Sequence, residues 1–292
     1  MNILSFDIEE WYIEKKFNGA RKEKYDEYDK YLYRILDTLD ERGVKGTFFC
    51  VGRLATDFPY VVKAIAKRGH EIGCHSNEHL WLTKMDERFL EQETKDAIAA
   101  LEDVSGKKVK SYRAPAFSIG EKNKWAIEVL AKCGIERDAS IFPAKRDFGG
   151  FDSFPADSPV IVDYQGAQIK EFPICLAKVA GREMCFSGGG YFRFFPYWYI
   201  KKELQNRNYG ICYFHIGDLI HNTDGMMSKE EFERYFKEKG TLANRFKRYL
   251  KSSIGTNGAF DKMSRLIENI EFMNIEQADI AIDWNKVETV RI

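Results

Sequence analysis

The sequence predicts an α/β fold in which a parallel sheet or barrel carries its helices outside. Three observations lead there. Short apolar runs alternate with segments of helical spacing four or five times through the first half of the chain. Glycines stand where the helical patterns stop, at Gly43, Gly69 and Gly134. Asp7, His75, Arg113 and Asp138 each lie at or just past the end of an apolar run. In parallel folds the carboxyl ends of the strands share one face, and sites are built there.

In chain order, residues 2–7 read as a buried strand ending in acids. Residues 25–42 space Tyr28, Leu32, Ile35, Leu36 and Leu39 as one face of a helix. A strand over 44–51, a helix over 58–68 and a strand over 70–74 follow, the last running straight into His75. Asp86 is placed to cap a helix that continues to about 104. Residues 110–113 form a strand, 121–133 a helix, and 135–138 begin another strand. The stretch 147–159, rich in Gly, Asp, Ser and Pro, reads as a loop, and 160–173 as a hairpin turning at Gln165-Gly166. Ser187-Gly188-Gly189-Gly190-Tyr191-Phe192-Arg193 reads as a Gly-rich turn before a short helix over 196–207. It lacks the Gly-Lys-Ser/Thr ending of a phosphate loop. Residues 210–215 are a strand ending in His215. A charged helix over 229–250, a helix over 260–270 and a short strand over 271–274 complete the chain. No long linker or internal repeat divides it. Residues 1–292 are therefore expected to form one domain, with 225–270 a helical elaboration.

Lys plus Arg and Asp plus Glu both number 45, so the formal charge is zero and the basic excess of a nucleic-acid binder is missing. No run approaches the roughly 20 apolar residues of an integral membrane segment. Residues 1–7 have neither the basic nor the apolar region of a secretory signal, which points to a cytoplasmic protein. The six cysteines form no Cys-x-x-Cys pair and mostly sit in apolar runs, so reduced, buried thiols are expected.

His75-Ser76-Asn77-Glu78-His79 offers two imidazoles four positions apart. Together with a carboxylate they make a common ligand set for a catalytic divalent metal, although the spacing alone also occurs on ordinary surfaces. If the first strand continues, Asp7 and Glu9 point the same way and Glu10 points away.

The ordered set Asp7/Glu9, His75-Ser-Asn-Glu-His79, Arg113-Ala-Pro-Ala-Phe117, Asp138 and His215 resembles the polysaccharide deacetylase (NodB-homology, carbohydrate esterase family 4) superfamily. The likeness extends to a subgroup associated with exopolysaccharide gene clusters. It is carried there by Ser5 to Tyr12, the Ser187 to Arg193 loop and Arg245-Phe246-Lys247-Arg248-Tyr249. The resemblance implies a distorted (β/α) barrel of about seven parallel strands. It implies one divalent metal ion, held by His75, His79 and an acid; many relatives carry adjacent aspartates where this chain has Asp7-Ile8-Glu9, and Glu9 is preferred over Glu10 because strand alternation sets it on the face of Asp7. Zinc is the first choice, with cobalt, nickel or manganese also suited. Some relatives act without a metal.

The resemblance further implies Asp7 as general base, Arg113 holding Asp7, the Ala116 N–H on the oxyanion, and His215 as general acid oriented by Asp138. Tyr191 and Phe117 are candidates to stack on a sugar ring, and Arg193 to meet an anionic group. The expected reaction removes an N-acetyl group from an amino sugar of a polysaccharide or of its lipid- or nucleotide-linked precursor. The N-acetylated carbohydrate is the expected partner. The rival readings are another amide hydrolase, such as a deformylase or cyclic-amide hydrolase, and a carbohydrate-binding homologue that has lost catalysis.

Overall fold

The computed structural model describes residues 1–146, 149–179, 181–221, 225–236 and 238–292. Among these the strands are β1 (Asn2–Ile8), β2 (Thr47–Cys50), β3 (Glu71–Cys74), β4 (Ser111–Tyr112), β5 (Arg137–Asp138), β6 (Val160–Tyr164), β7 (Ala167–Glu171), β8 (Leu176–Val179), β9 (Arg182–Cys185), β10 (Gly210–His215) and β11 (Thr289–Arg291). Nine form one sheet in the order β10-β1-β2-β3-β4-β5-β7-β6-β11, and β8 pairs with β9. From β10 to β7 every neighbouring pair is parallel, which makes seven parallel strands. β6 returns antiparallel to β7, and β11 extends the edge. Side chains and one bridge link the two ends of the parallel run. The Tyr209 hydroxyl donates to the Pro173 carbonyl at 2.8 Å, the Ser187 hydroxyl to the Ile211 carbonyl at 2.6 Å, and Gly188 pairs with Tyr213.

Residues of the central strands are buried whichever way they point, as Phe6, Phe48, Phe49, Ile72, Cys74 and Phe214 show. That is the pattern of a parallel sheet covered by helices, and it explains why these runs are continuously apolar. The helices Lys22–Glu41, Pro59–Lys67, Glu87–Ser105 and Ala126–Lys132 each bury one apolar stripe. Asp86 caps the third by accepting from the Phe89 N–H at 2.8 Å. Gly43, Gly69 and Gly134 follow their helices with positive φ. His70 is a core residue. It accepts from the Gly46 N–H, and burial lowers its pKa to about 4. All six thiols are free, five of them buried.

Several elements differ from the sequence reading. β1 ends at Ile8, Glu9 has φ −138° and ψ −20°, and a helix Glu10–Phe17 begins at once. Strand alternation therefore does not align Glu9 with Asp7. Burial of Trp11, Tyr12 and Glu14 holds that helix in place. The Gly-rich stretch is itself helical over Gly189–Phe194. Gly188 is demanded by packing, because a Cβ there would meet the Tyr213 ring at 2.1 Å. The single helix expected over 229–250 is two, Lys229–Phe236 and Leu242–Ser253, the second capped by the Thr241 side chain. Residue 237 between them lies outside the described residues, as do residues 147 and 148 of the expected 147–159 loop and residues 222–224 before the first of these helices. Residues 271–274 make only an isolated bridge, Ile3 to Met273, before a capped helix Ile275–Ala281.

Gly52 opens the helix Gly52–Asp57 where it crosses the long helix Glu87–Ser105. A Cβ there would sit 2.6 Å from both the Ala97 Cα and the Asn77 Oδ1. Gly52→Ala should therefore destabilise the fold by about 1–3 kcal/mol, through overpacking that pushes the 75–79 loop outward. Urea denaturation checks this, and an unchanged midpoint would refute the close approach.

Candidate active site

The site stands at the carboxyl ends of β1, β3, β4 and β10. Sheet register creates its first pair, since Asp7 of β1 lies beside His215 of β10. Asp7 is buried. Its Oδ1 receives the Arg113 Nη1 at 2.8 Å, and its Oδ2 lies 3.9 Å from the His215 Nε2. Arg113 follows β4 and is fully buried. Its Nε donates to the Ala139 carbonyl at 3.1 Å, and its guanidinium lies 4.3 Å from the Phe49 ring centre.

His75 leaves the end of β3. Its Nδ1 lies 2.7 Å from the Arg113 carbonyl, an acceptor only, so Nδ1 carries the proton and Nε2 presents a lone pair. Ser76 and His79 adopt left-handed backbone, φ +58° and +55°, which turns the second imidazole back toward the first. The turn is held from both sides. The Glu93 carboxylate accepts the Asn77 and Glu78 N–H groups at 3.0 and 3.2 Å. The Gly52 and Arg53 N–H groups donate to the Ser76 and Asn77 carbonyls. The His75 and His79 ring centres are 5.1 Å apart.

Glu9 reaches into the gap between them. Its Oε2 is 3.4 Å from His75 Nε2 and 2.5 Å from His79 Nε2. Single ligand atoms of the three residues all lie within 4.8 Å of one another. The buried Glu9 Oε2 has no aligned hydrogen-bond donor among the described residues. A carboxylate oxygen and an imidazole lone pair directed at one point repel unless a cation sits between them, and this donor set suits a divalent ion. Burial opposes ionisation of Glu9, but His79, His215 and His75 outweigh it and hold the carboxyl well below its usual range. Glu10 is not in this cluster. It turns toward the Gly217 N–H, 2.7 Å away, and burial is the largest cause raising its pKa to about 7.

His215 is partly exposed, and its Nδ1 lies 3.0 Å from Asp218 Oδ2. Burial would lower the imidazole pKa, but Glu9, Asp218 and Asp7 together raise it well above the usual histidine value. Its Nε2 thus faces the Asp7 and Glu9 carboxylates, at 3.9 and 3.8 Å.

Asp138 does not orient His215. Register sets it beside Glu171 of β7, and its Oδ1 accepts from the Ser140 hydroxyl at 2.5 Å. Burial, then the neighbouring Asp138, raises the Glu171 carboxyl well above its usual value. Asp218 takes the position at His215, and the sequence reading missed it. The available signal was an acid three residues after a histidine at a helix start, here a capping box.

Ala116 has φ +56°, in the tight turn Pro115–Phe117 between β4 and the next helix. Gly149 packs on the carbonyls of that turn so closely that a Cβ would meet them at 2.3–2.4 Å. Phe117 is buried against Phe142 and Tyr213, so its ring belongs to the core and cannot stack on a sugar. Arg193 is not available to an anion. Its guanidinium donates to the Ser252 and Lys251 carbonyls at 2.7 and 3.0 Å and lies 3.5 Å from Asp218. Tyr191, half-buried, is on the same short helix.

Titration with zinc, cobalt or nickel followed by calorimetry should give about one site per chain. His75→Ala or His79→Ala should weaken binding at least about 100-fold, and Glu93→Gln about tenfold or more through the loop. Equal affinity in all four proteins would remove the cluster from consideration as a metal site.

Residues 25–137 match the polysaccharide deacetylase family model, and 139–279 match a domain of unknown function, DUF3473. A peptidoglycan-N-acetylglucosamine deacetylase of Bacillus cereus is 38% identical over 96 residues, 32% of this chain and 35% of that protein. A chitooligosaccharide deacetylase of Rhizobium leguminosarum bv. trifolii is 33% identical over 103 residues, 34% of this chain and 43% of that one. The chain thus spans less than half the length of these curated relatives. Among solved structures, a polysaccharide deacetylase from Mycobacterium smegmatis superposes over 98% of this chain and 91% of its own, with TM-score 0.61 and 19% identity, which shows a shared fold. Residues 25–137 thus match the polysaccharide deacetylase family and residues 139–279 the DUF3473 type, on a fold shared with the Mycobacterium smegmatis structure.

Proposed function

We propose that the chain hydrolyses the N-acetyl group of an amino sugar in a polysaccharide or its lipid- or nucleotide-linked precursor. The observation that carries this is the pairing of Asp7 with His215 beside the Glu9, His75 and His79 cluster. A base and an acid then flank one electrophile site. The names of the relatives, which are peptidoglycan and chitooligosaccharide deacetylases, support an N-acetylated carbohydrate.

A divalent ion held by Glu9, His75 and His79 would supply Lewis-acid polarisation and an acidified water; zinc suits the set. The remaining work falls to the chain. Asp7, fixed by Arg113 through one oxygen, uses the other to take the water proton. The left-handed turn at Ala116 offers backbone N–H to the developing oxyanion. Glu9, Asp218 and Asp7 hold His215 as the imidazolium, so that with Nδ1–H on Asp218 its Nε2 also bears a proton, which it passes to the leaving nitrogen as the C–N bond breaks. Water and amide become acetate and free amine. We place this work in the cytoplasm, on precursors.

Acetate release should be measured on N-acetylglucosamine oligomers, peptidoglycan fragments and lipid-linked amino sugars, with N-formyl and cyclic-amide controls. Asp7→Asn and His215→Gln should each lower kcat by about 10²–10⁴ with metal content unchanged. Release of formate or ring-opened product instead of acetate would move the assignment to another amide hydrolase. Sugar binding without turnover, indifferent to Asp7→Asn, would replace it with a binding protein.

Asp218→Asn removes an anion that favours the imidazolium. The folded pKa of His215 should fall, and the alkaline limb of the kcat/KM profile should move to lower pH. A limb that stays in place would show that His215 is not the group titrating there.

A further inference from the structure

A second concave site lies apart from the cluster at the strand ends. A cavity of about 680 Å³ is lined by residues of helix Lys229–Phe236, of helix Leu242–Ser253 and of the chain just past helix Glu10–Phe17. That volume is within the range of small-ligand pockets, about 300–1,000 Å³. Among the described residues its lining carries five cations, Arg21, Arg234, Arg245, Arg248 and Lys251, against one acid, Glu231. The whole chain balances 45 basic residues with 45 acidic ones, so the cavity is a local concentration of positive charge. Part of that charge is met from within. The Glu14 carboxylate takes the Arg21 fork at 2.8 and 2.9 Å, Arg248 lies 3.9 Å from Glu238, and the Arg245 Nε donates to the Met227 carbonyl at 2.7 Å. With Glu14 and Glu238 counted beside Glu231, five cations still meet three acids.

Helix spacing gathers this face. Arg245, Arg248, Tyr249 and Ser252 stand three and four residues apart, so they share one side of helix Leu242–Ser253, and all four line the cavity. Phe246 and Lys247 between them are exposed and do not. The cavity is also tied to the active site at two points. Helix Glu10–Phe17 begins beside Glu9 and carries the chain to Asn18 and Arg21 in the lining, a rise of about 12 Å. Arg193 lies 3.5 Å from Asp218, the partner of His215, and donates to the carbonyls of Lys251 and Ser252, which line the cavity.

We propose that this cavity seats a diphosphate ester, the group that joins an amino sugar to a nucleotide or lipid carrier. Guanidinium groups present planar forks that engage phosphate oxygens in pairs, and arginines supply four of the five cations. A diphosphate brings a negative charge on each phosphoryl group and so meets the excess, of which a single carboxylate would leave part unmet. Binding of the diphosphate stands on the cavity alone. Its use as the seat of a carrier rests on the proposed deacetylation, in which the sugar lies at the Glu9, His75 and His79 cluster and the diphosphate is held one short helix away.

The test is calorimetric titration of the full chain, without added metal, with inorganic pyrophosphate, UDP-N-acetylglucosamine and a prenyl-diphosphate N-acetylglucosamine. All three should bind, and the tighter of the two esters identifies the carrier. Arg234→Glu and Arg245→Gln should each weaken pyrophosphate at least about tenfold. Arg234 is exposed, so circular dichroism and Tm of its variant should match the wild type. His75→Ala/His79→Ala should bind pyrophosphate as the wild type does, which separates the cavity from the metal cluster. Absence of binding, equal affinity in Arg234→Glu, or loss of binding in the histidine variant overturns the proposal. Equal affinity for a uronic-acid oligomer, whose charges are carboxylates alone, also overturns it, since the cavity then serves an acidic polymer. In acetate release, Arg234→Glu should raise KM for the diphosphate-linked sugars and leave a neutral N-acetylglucosamine oligomer unaffected. An equal change for both overturns the carrier role. If pyrophosphate binds and no form releases acetate, the deacetylase reading fails and the cavity assignment stands.

Discussion

Arg113 is the residue on which the site depends. Its carbonyl fixes the tautomer of His75, its Nη1 orients Asp7, and its Nε ties β4 to the residue after β5. One buried residue thus sets the direction of two functional side chains, His75 through its backbone and Asp7 through its guanidinium. A buried pair of this kind adds little net stability, but losing one partner leaves the other charge stranded at a cost of about 3–5 kcal/mol. The Phe49 ring beneath the guanidinium leaves it little room to tilt. A lysine could supply the charge but not the planar fork that reaches Asp7 and the Ala139 carbonyl at once.

Around that residue the site grades from dry to wet. Asp7 is 3% exposed in its side chain, Glu9 15%, His79 17% and His215 34%. The group assigned to take a proton is nearly sealed from solvent, and the group assigned to give one is open to exchange with water. Asp218 and Arg193 extend the chain of contacts from His215 to the C-terminus of helix Leu242–Ser253. A guanidinium at that end also suits the helix dipole.

Much of the fold was legible because parallel strands buried on both faces must be apolar throughout, and because glycines mark the helix ends. The His75 and His79 pair and Glu9 were legible as residue types, but the reason given for Glu9 was not the physical one. β1 stops before it, and a helix start delivers the carboxylate. Neither the Asp7–His215 nor the Asp138–Glu171 neighbourhood could be read, because each is a matter of sheet register. The first joins strands that lie about 200 residues apart in the chain. Phe117 and Arg193 were misread because a motif gives a side chain's identity and not its surroundings. One proved to be core and the other a clamp on helix carbonyls.

The left-handed backbone at Ser76 and His79 has a consequence for how the site is filled. Each such residue stores roughly 1–3 kcal/mol of strain, which persists only where neighbours over-determine it. Here the Glu93 carboxylate and the Gly52 and Arg53 N–H groups do so from within the fold. The loop is therefore a mould cast during folding. The proposed ion would therefore meet two imidazoles that the fold has already turned toward one another.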